Sequence, residues 1–326
     1  MTAISLIPPG LPLVLGALLL PLCTARLRAL LVLGLPLLVL ALVWQLPAGA
    51  VLTLDFLGYE LAPVSESRLG RLFATVFALM AFAGGLFGLN HMRMAELSAA
   101  LLSAGCAISI AFAGDLVTLL VFWEGLALAS TLLVWSARTT QSRDAGLRYL
   151  VLHLFGGVLL LAGIIGHVAA TGSVAFTAMT LDSPAHWMIL AGFLINAGAP
   201  PLSAWLPDAY PEASPGGMVA LSAFTTKTAV FVQLTGFPGA DILIAFGLYM
   251  VFYGIVYALL ENDMRRILAY SIVNQVGFMI VGIGIGTELS LNGAAAHAFT
   301  HIIYKALLLM SAGSVLYMTG KRKCTD

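Results

Sequence analysis

The sequence predicts an all-α, polytopic membrane protein with about eleven transmembrane helices. Three observations carry this. Hydrophobic residues make up 60% of the 326-residue chain and charged residues 9%, with a mean hydropathy of +1.01, far from the composition of water-soluble domains. The apolar residues fall into eleven stretches of about the 20 residues a bilayer requires. The basic residues between those stretches alternate in the way the positive-inside rule demands.

The spans run at about 5–24, 27–46, 70–89, 96–113, 116–136, 147–170, 186–206, 217–235, 242–260, 267–287 and 291–318, which leaves room for loops but for no soluble domain. Span 1 lacks a basic leading segment and is followed by ten more, so it reads as a membrane helix and not as a cleaved signal. With the N-terminus outside, Arg26, Arg28, Arg93, Arg138, Arg143, Arg148, Arg265, Arg266, Lys321, Arg322 and Lys323 lie inside, and only Arg68 and Arg71 outside. The outer loops are then short and acidic or neutral, carrying Asp55, Glu60, Glu66, Asp115, Asp182, Asp241 and Glu288, and the chain ends on the cytoplasmic side, as in a bacterial inner membrane.

Span 5 carries Glu124 near its middle, in Val121-Phe-Trp-Glu-Gly-Leu-Ala. Span 6 contains His153-Leu-Phe-Gly-Gly-Val-Leu-Leu-Leu161, which resembles His301-Ile-Ile-Tyr-Lys-Ala-Leu-Leu-Leu309 of span 11 at an offset of 148 residues. Five spans separate the two copies, and an odd separation inverts the second copy in the membrane. The expected organisation is therefore residues 1–95 as spans 1–3, residues 96–235 as a first five-helix repeat and residues 236–326 as a partial, inverted second one. Span 7 is broken: Asn196-Ala-Gly-Ala-Pro-Pro-Leu-Ser-Ala-Trp205 puts Gly198, Pro200 and Pro201 inside it, which removes N–H donors and frees carbonyls that protein or trapped water must satisfy. The 148-residue offset carries Asn196 beyond residue 326, so the second repeat is expected to be incomplete, with its own broken helix outside this sequence.

Span 8 places Lys227 in Ser222-Ala-Phe-Thr-Thr-Lys-Thr, and span 11 places His297, His301 and Lys305 four residues apart, a stripe about 12 Å long at 1.5 Å per residue. A charge at the bilayer centre costs roughly 2.5–3.5 kcal/mol even on the lenient insertion scale, so such residues mark ion or proton pathways. Glu, Lys and His at similar depth on three spans suit a relay running in the membrane plane, since the protonation state of each depends on its neighbours. Ser222, Thr225, Thr226, Ser271, Asn274, Gln275, Thr300 and Tyr304 are candidates to hold connecting waters. The bland reading of Glu124 and Lys227 is a static buried pair. His153 and His167 read as structural, His91 and His186 as interfacial.

His297 and His301 match the i, i+4 spacing of zinc ligands, but no Cys or carboxylate lies close in sequence to complete a site. Cys23, Cys106 and Cys324 are too scattered for a disulfide framework, and with no phosphate loop and no cysteine cluster the expectation is no cofactor and no metal. No basic cluster suggests nucleic acid.

The run from Phe193 to Pro215, the Trp123-Glu124 pair, the stretch Asp263-Met-Arg-Arg-Ile-Leu-Ala-Tyr-Ser-Ile-Val-Asn-Gln-Val-Gly277 and His301-Ile-Ile-Tyr-Lys305 resemble the antiporter-like proton-pumping subunits shared by respiratory complex I and Mrp-type sodium/proton antiporters. The resemblance runs from about residue 60 to the end, and within the superfamily the chain looks most like the D subunit of the Mrp-type antiporters. It implies a proton-translocating role with Glu124 as the gating carboxylate, Lys227 as the relay lysine, and His297, His301 and Lys305 leading to an exit on a twelfth helix. The implied partners are other membrane subunits, protons, and sodium as a second candidate ion, with helices 12–14 expected either from the rest of a longer chain, of which this is a fragment, or from a separate chain. The family commonly has a lysine where this chain has Asn196 and a histidine where it has Ser203. With Asn196 unable to titrate, Lys227 is expected to become the electrostatic partner of Glu124. A membrane-arm subunit of a redox-driven pump and a passive scaffold stay open as alternatives.

Overall fold

In the computed structural model, residues 7–326 are described, and residues 5 and 6 of span 1 lie outside them. Helix α1 (Leu11–Leu19) runs on through a tight turn at Leu20–Leu22 and is followed by α2 (Ala25–Gln45). A hairpin, β1 (Val51–Phe56) and β2 (Tyr59–Ser65), precedes α3 (Arg68–Gly88), α4 (Met94–Phe112), α5 (Leu116–Trp135) and α6 (Thr140–Thr171). Then come α7 (Pro184–Ala197), the short α8 (Trp205–Ala209), α9 (Pro215–Gly236), α10 (Ile242–Leu260), α11 (Met264–Ile285) and α12 (Glu288–Thr319). Among the described residues nine helices are long and apolar enough to cross a bilayer, and the apolar segments Leu11–Leu22 and Pro184–Ala197 are shorter. The chain is an integral membrane protein.

Helix starts follow local chemistry. Ser67, Asp115, Thr139, Ser183, Ser214, Asp263 and Thr287 each accept a hydrogen bond from an N–H in the first turn of the helix they precede. The helices then sort by which faces they bury. On α6, Leu147, Val151, Leu154, Val158, Leu161 and Ile165 form an exposed apolar stripe at helical spacing, as a lipid-facing surface does. Helix α9 is buried along nearly its whole length and touches α3, α4, α5, α7, α11 and α12. It is the axis of the bundle, and the polar residues it carries are cut off from both lipid and bulk water.

Small residues set the helix spacing where packing is tightest. A Cβ at Gly277 of α11 would lie 2.7 Å from the Gly247 carbonyl of α10, so the two backbones meet with no side chain between them.

The hairpin departs from the all-helical expectation, in which the segment between spans 2 and 3 is loop. Its two-residue turn has Leu57 at φ 51° and Gly58 at φ 83°, the left-handed pair that matches strand twist. It is tied down by Ala62 N–H donating to Asp115 Oδ2 at 2.8 Å and by Gly114 N–H donating to the Ala62 carbonyl at 2.9 Å. Asp115 also caps α5 through Thr118 N–H at 2.7 Å and is 1% exposed, so it serves as a buried anchor and not as a wet loop carboxylate.

Substituting Gly277 by Leu should separate α10 from α11 and lower stability by about 1–3 kcal/mol, the usual cost of overpacking. A lower unfolding midpoint in detergent is the expected readout, while Gly293→Leu, at a position with open space around it, should leave the midpoint unchanged.

Candidate functional site

The break in span 7 is built by the residues that predicted it. Helix α7 stops at Ala197, and Gly198 takes the left-handed conformation at φ 78°, its N–H returning to the Ile195 carbonyl at 3.1 Å. Pro200 and Pro201 lie in the turn that follows, and the helix resumes at Trp205. The indole N–H of Trp205 reaches back 2.9 Å to the same Ile195 carbonyl, so a side chain supplies part of what the interrupted ladder lost. Asn196 is 1% exposed, and neither its amide nitrogen nor its oxygen has a partner.

Around this break sits a first polar group. Ile195 packs on Gly156 of α6, and Trp205 meets the rings of Tyr149 and His153 at 5.3 and 4.6 Å. Glu124 of α5 is half-buried, with its carboxylate seated against Gly157 of α6, where a Cβ would overlap Oε1. That oxygen has no hydrogen-bond partner, and neither do His153 Nε2, the Tyr149 hydroxyl and Ser203 Oγ. Unpartnered polar atoms gathered in a protein interior are the signature of a place that takes ordered water.

A second group lies between α9, α11 and α12. Lys227 is fully buried and donates to Thr226 Oγ1 at 3.0 Å. Lys305, 2% exposed, donates to Ser271 Oγ at 2.8 Å. His301 lies within electrostatic reach of both lysines, is fully buried, and has two ring nitrogens without partners. His297 is half-buried and bonds Gln275 Oε1 at 2.9 Å, and Gln275 in turn donates to Asn274 Oδ1 at 2.8 Å. Since an amide oxygen only accepts, His297 Nε2 carries the hydrogen and Nδ1 is the open acceptor. The ionisable residues of α12 thus turn inward, toward α9 and α11.

Between the groups, α5 and α9 touch through hydroxyls. Ser130 of α5 and Thr225 of α9 are 3.0 Å apart, and the Tyr149 hydroxyl lies beside them. Among the described residues no direct ion pair joins Glu124 and Lys227. Lys227 faces the α12 group instead. Of the candidate water holders, Ser271, Asn274 and Gln275 make direct bonds across helices, whereas Thr300 bonds the Ala296 carbonyl of its own helix at 3.0 Å.

Several buried polar residues escaped the sequence reading, Ser130 of the α5–α9 contact among them. Gln233 of α9 is fully buried with both amide atoms unpartnered, and an amide in Val-Phe-Val-Gln-Leu was a signal available to find it. Tyr149 reads from sequence as an ordinary aromatic. Glu96, 3% exposed, has its carboxylate bonded by the Ser214 hydroxyl at the start of α9. Charge laces the segments around α8 and the C-terminus: Arg148 forms two 2.8 Å bonds to Asp208 of α8, Arg265 donates to the Ala213 carbonyl ahead of α9 at 2.7 Å, and Arg322 bonds Asp263 at the start of α11 at 2.5 Å.

Comparisons with known proteins agree with this architecture. The family profile described as "NADH:quinone oxidoreductase/Mrp antiporter, TM" matches residues 113–325. The chain is 32% identical over 228 residues to the D subunit of the Na(+)/H(+) antiporter of Alkalihalophilus pseudofirmus, a match covering 64% of this chain and 46% of that protein. It is 28% identical over 313 residues to hydrogenase-4 component B of Escherichia coli, covering 83% and 46%. A chain of the membrane-bound sulfane sulfur reductase, an archaeal respiratory membrane complex, superposes with a TM-score of 0.88 at 26% identity, covering 99% of this chain and 58% of that one. The chain therefore spans about half the length of the curated relatives it matches.

Replacing Gly157 by Val fills the seat of the Glu124 carboxylate. The Glu124 side chain should then turn away from α6 while the solubilised yield stays near wild type, as read by a structure of the variant. A carboxylate still resting on α6 would contradict the seat.

Proposed function

The chain belongs to the NADH:quinone oxidoreductase/Mrp antiporter transmembrane family, and from that premise we propose that it is a proton-translocating subunit of a multi-subunit cation/proton antiporter. The observation that carries the reading is the cluster of Lys227, His301 and Lys305, buried together between helices whose outer faces suit lipid. Two amines and an imidazole held at close quarters cannot all be charged without large electrostatic cost, so a proton taken up at one position favours release at the next. Glu124 governs access from the α5 side, and the Ser130–Thr225 contact with Tyr149 links that side to Lys227. His297, with its open Nδ1, continues the line along α12 through His301 to Lys305. The break at Asn196, Gly198, Pro200 and Pro201 lines the wet region next to Glu124.

In this reading residues 96–235 and 236–326 are inverted units, residues 1–95 pack beside them, and the N-terminus lies outside a bacterial inner membrane with the C-terminus in the cytoplasm. The partners are other membrane subunits. Protons are the transported species, with sodium as a candidate counter-ion handled by the complex.

A second reading is favoured by the likeness to hydrogenase-4 component B and to the sulfane sulfur reductase chain: the same relay inside a redox-driven pump, where electron transfer in other subunits supplies the energy. Membrane vesicles containing the chain with its partner subunits separate the two, since a sodium gradient drives proton movement in one case and a reductant in the other.

In either setting Lys227→Ala and Lys305→Ala should each cut proton flux by roughly 100-fold, the scale of a lost proton-transfer group, at unchanged assembly. Full flux in both variants would remove the relay.

A further inference from the structure

We propose that His153 is a proton-storing site beside the helix break, taking a proton on Nε2 and returning it by the same nitrogen. The inference rests on the relay reading above and adds to it a residue that the sequence placed among the structural histidines.

Hydrogen bonding sets the tautomer. His153 Nδ1 lies 2.8 Å from the Tyr149 carbonyl, and a carbonyl has no proton to give, so Nδ1 carries the hydrogen. Nε2 is then a bare lone pair. It is completely buried, and no donor of the protein reaches it. A basic nitrogen left in that condition inside a bundle is satisfied by water or by a proton.

Two kinds of neighbour bear on a charge placed there. The imidazole stacks on the Tyr149 ring with centroids 3.8 Å apart, and an aromatic face stabilises a positive charge. Each packed element shows what faces it. Helix α5 brings Glu124, whose carboxylate rests at Gly157, one helical turn from His153 on the same face of α6. Helix α7 packs on α6 through Ile195 at Gly156, α8 brings Trp205, and the turn after α8 brings Tyr210, whose hydroxyl donates to the Leu221 carbonyl at 2.9 Å. Toward the surface end, Arg148 is held by Asp208 at 2.8 Å. Helix α9 presents Thr225 on this side, while its Lys227 is engaged with Thr226 and the α12 group. Glu124 is therefore the carboxylate that a charged His153 would meet, and Lys227 is not its cation.

The proton step balances simply. A hydronium or hydrated proton in the break loses an O–H bond as Nε2 gains an N–H bond, and release reverses both. The other nitrogen cannot forward the proton, because its partner is a backbone carbonyl. His153 thus differs from a flow-through link such as His297: it loads and unloads from one side, and its charge favours the ionised form of Glu124 while loaded.

Asparagine makes the test specific, since its amide nitrogen stands where Nδ1 does and preserves the bond to Tyr149, while nothing replaces Nε2. In the complete complex reconstituted in vesicles, His153→Asn should assemble with near-native thermal stability, lower proton flux by about tenfold, and lose a one-proton step from the pH–rate profile. Wild-type flux with an unchanged profile would overturn the assignment. Lys305→Ala, run in parallel, separates the two levels. If it abolishes flux and His153→Asn does not, only this inference fails, and if neither variant has an effect, the relay itself fails. Should His153→Asn not assemble, nitrogen-15 histidine spectra of the native complex decide it: a buried imidazole with a constant Nδ1–H and a titrating Nε2 is expected, and an Nε2 that never titrates contradicts it.

Discussion

A polar atom in the middle of a bilayer must be satisfied by protein or by water that the protein traps, and the architecture of this chain is organised around that constraint. Nine long helices meet the requirement for their backbones by closing their own hydrogen bonds, which lets their outer faces be apolar. The exception is the interruption between α7 and α8, where Gly198 turns the chain and Trp205 returns a donor to the Ile195 carbonyl. Around it, Asn196, Ser203, His153 and Glu124 are among the side chains left with unpartnered atoms.

From this follows the division of the interior into two polar groups with different chemistry. The group at the break has one carboxylate, one imidazole and several neutral polar atoms. The group between α9, α11 and α12 is built of basic side chains, two lysines and two histidines. A fully buried α9 stands between them and contributes to both, Thr225 on one face and Lys227 on another. In the proposed relay, water and hydroxyls connect the groups in place of an ion pair, and hydration then controls the path.

Much of this was legible in the sequence because hydrophobic context makes exceptions conspicuous. Glu124, Lys227, His301 and Lys305 stand out only because some twenty apolar residues surround each, and Pro200-Pro201 only because a helix is required there. Which way those residues point was not legible: α9 is buried on every side and its polar residues fall on several faces, so no amphipathic pattern shows that Lys227 faces α12 and not Glu124. The hairpin was hidden because Leu57-Gly58 lacks the usual Asn-Gly or Asp-Gly signal, and Asp115 and Glu96 because burial at span ends depends on loops folding over them. His153 reads as a packing residue until the bond from Nδ1 to its own helix fixes the tautomer and leaves Nε2 facing the break.

The central claim is that these orphaned polar atoms are bridged by water into one continuous path. A cryo-electron microscopy map of the intact complex, at a resolution that shows ordered water, tests it most directly. The account predicts density within hydrogen-bond distance of Glu124 Oε1, the Asn196 amide and the His301 ring, joined through Ser130 and Thr225 toward Lys305. A dry, closely packed interior around these atoms, with Glu124 turned into lipid, would contradict it.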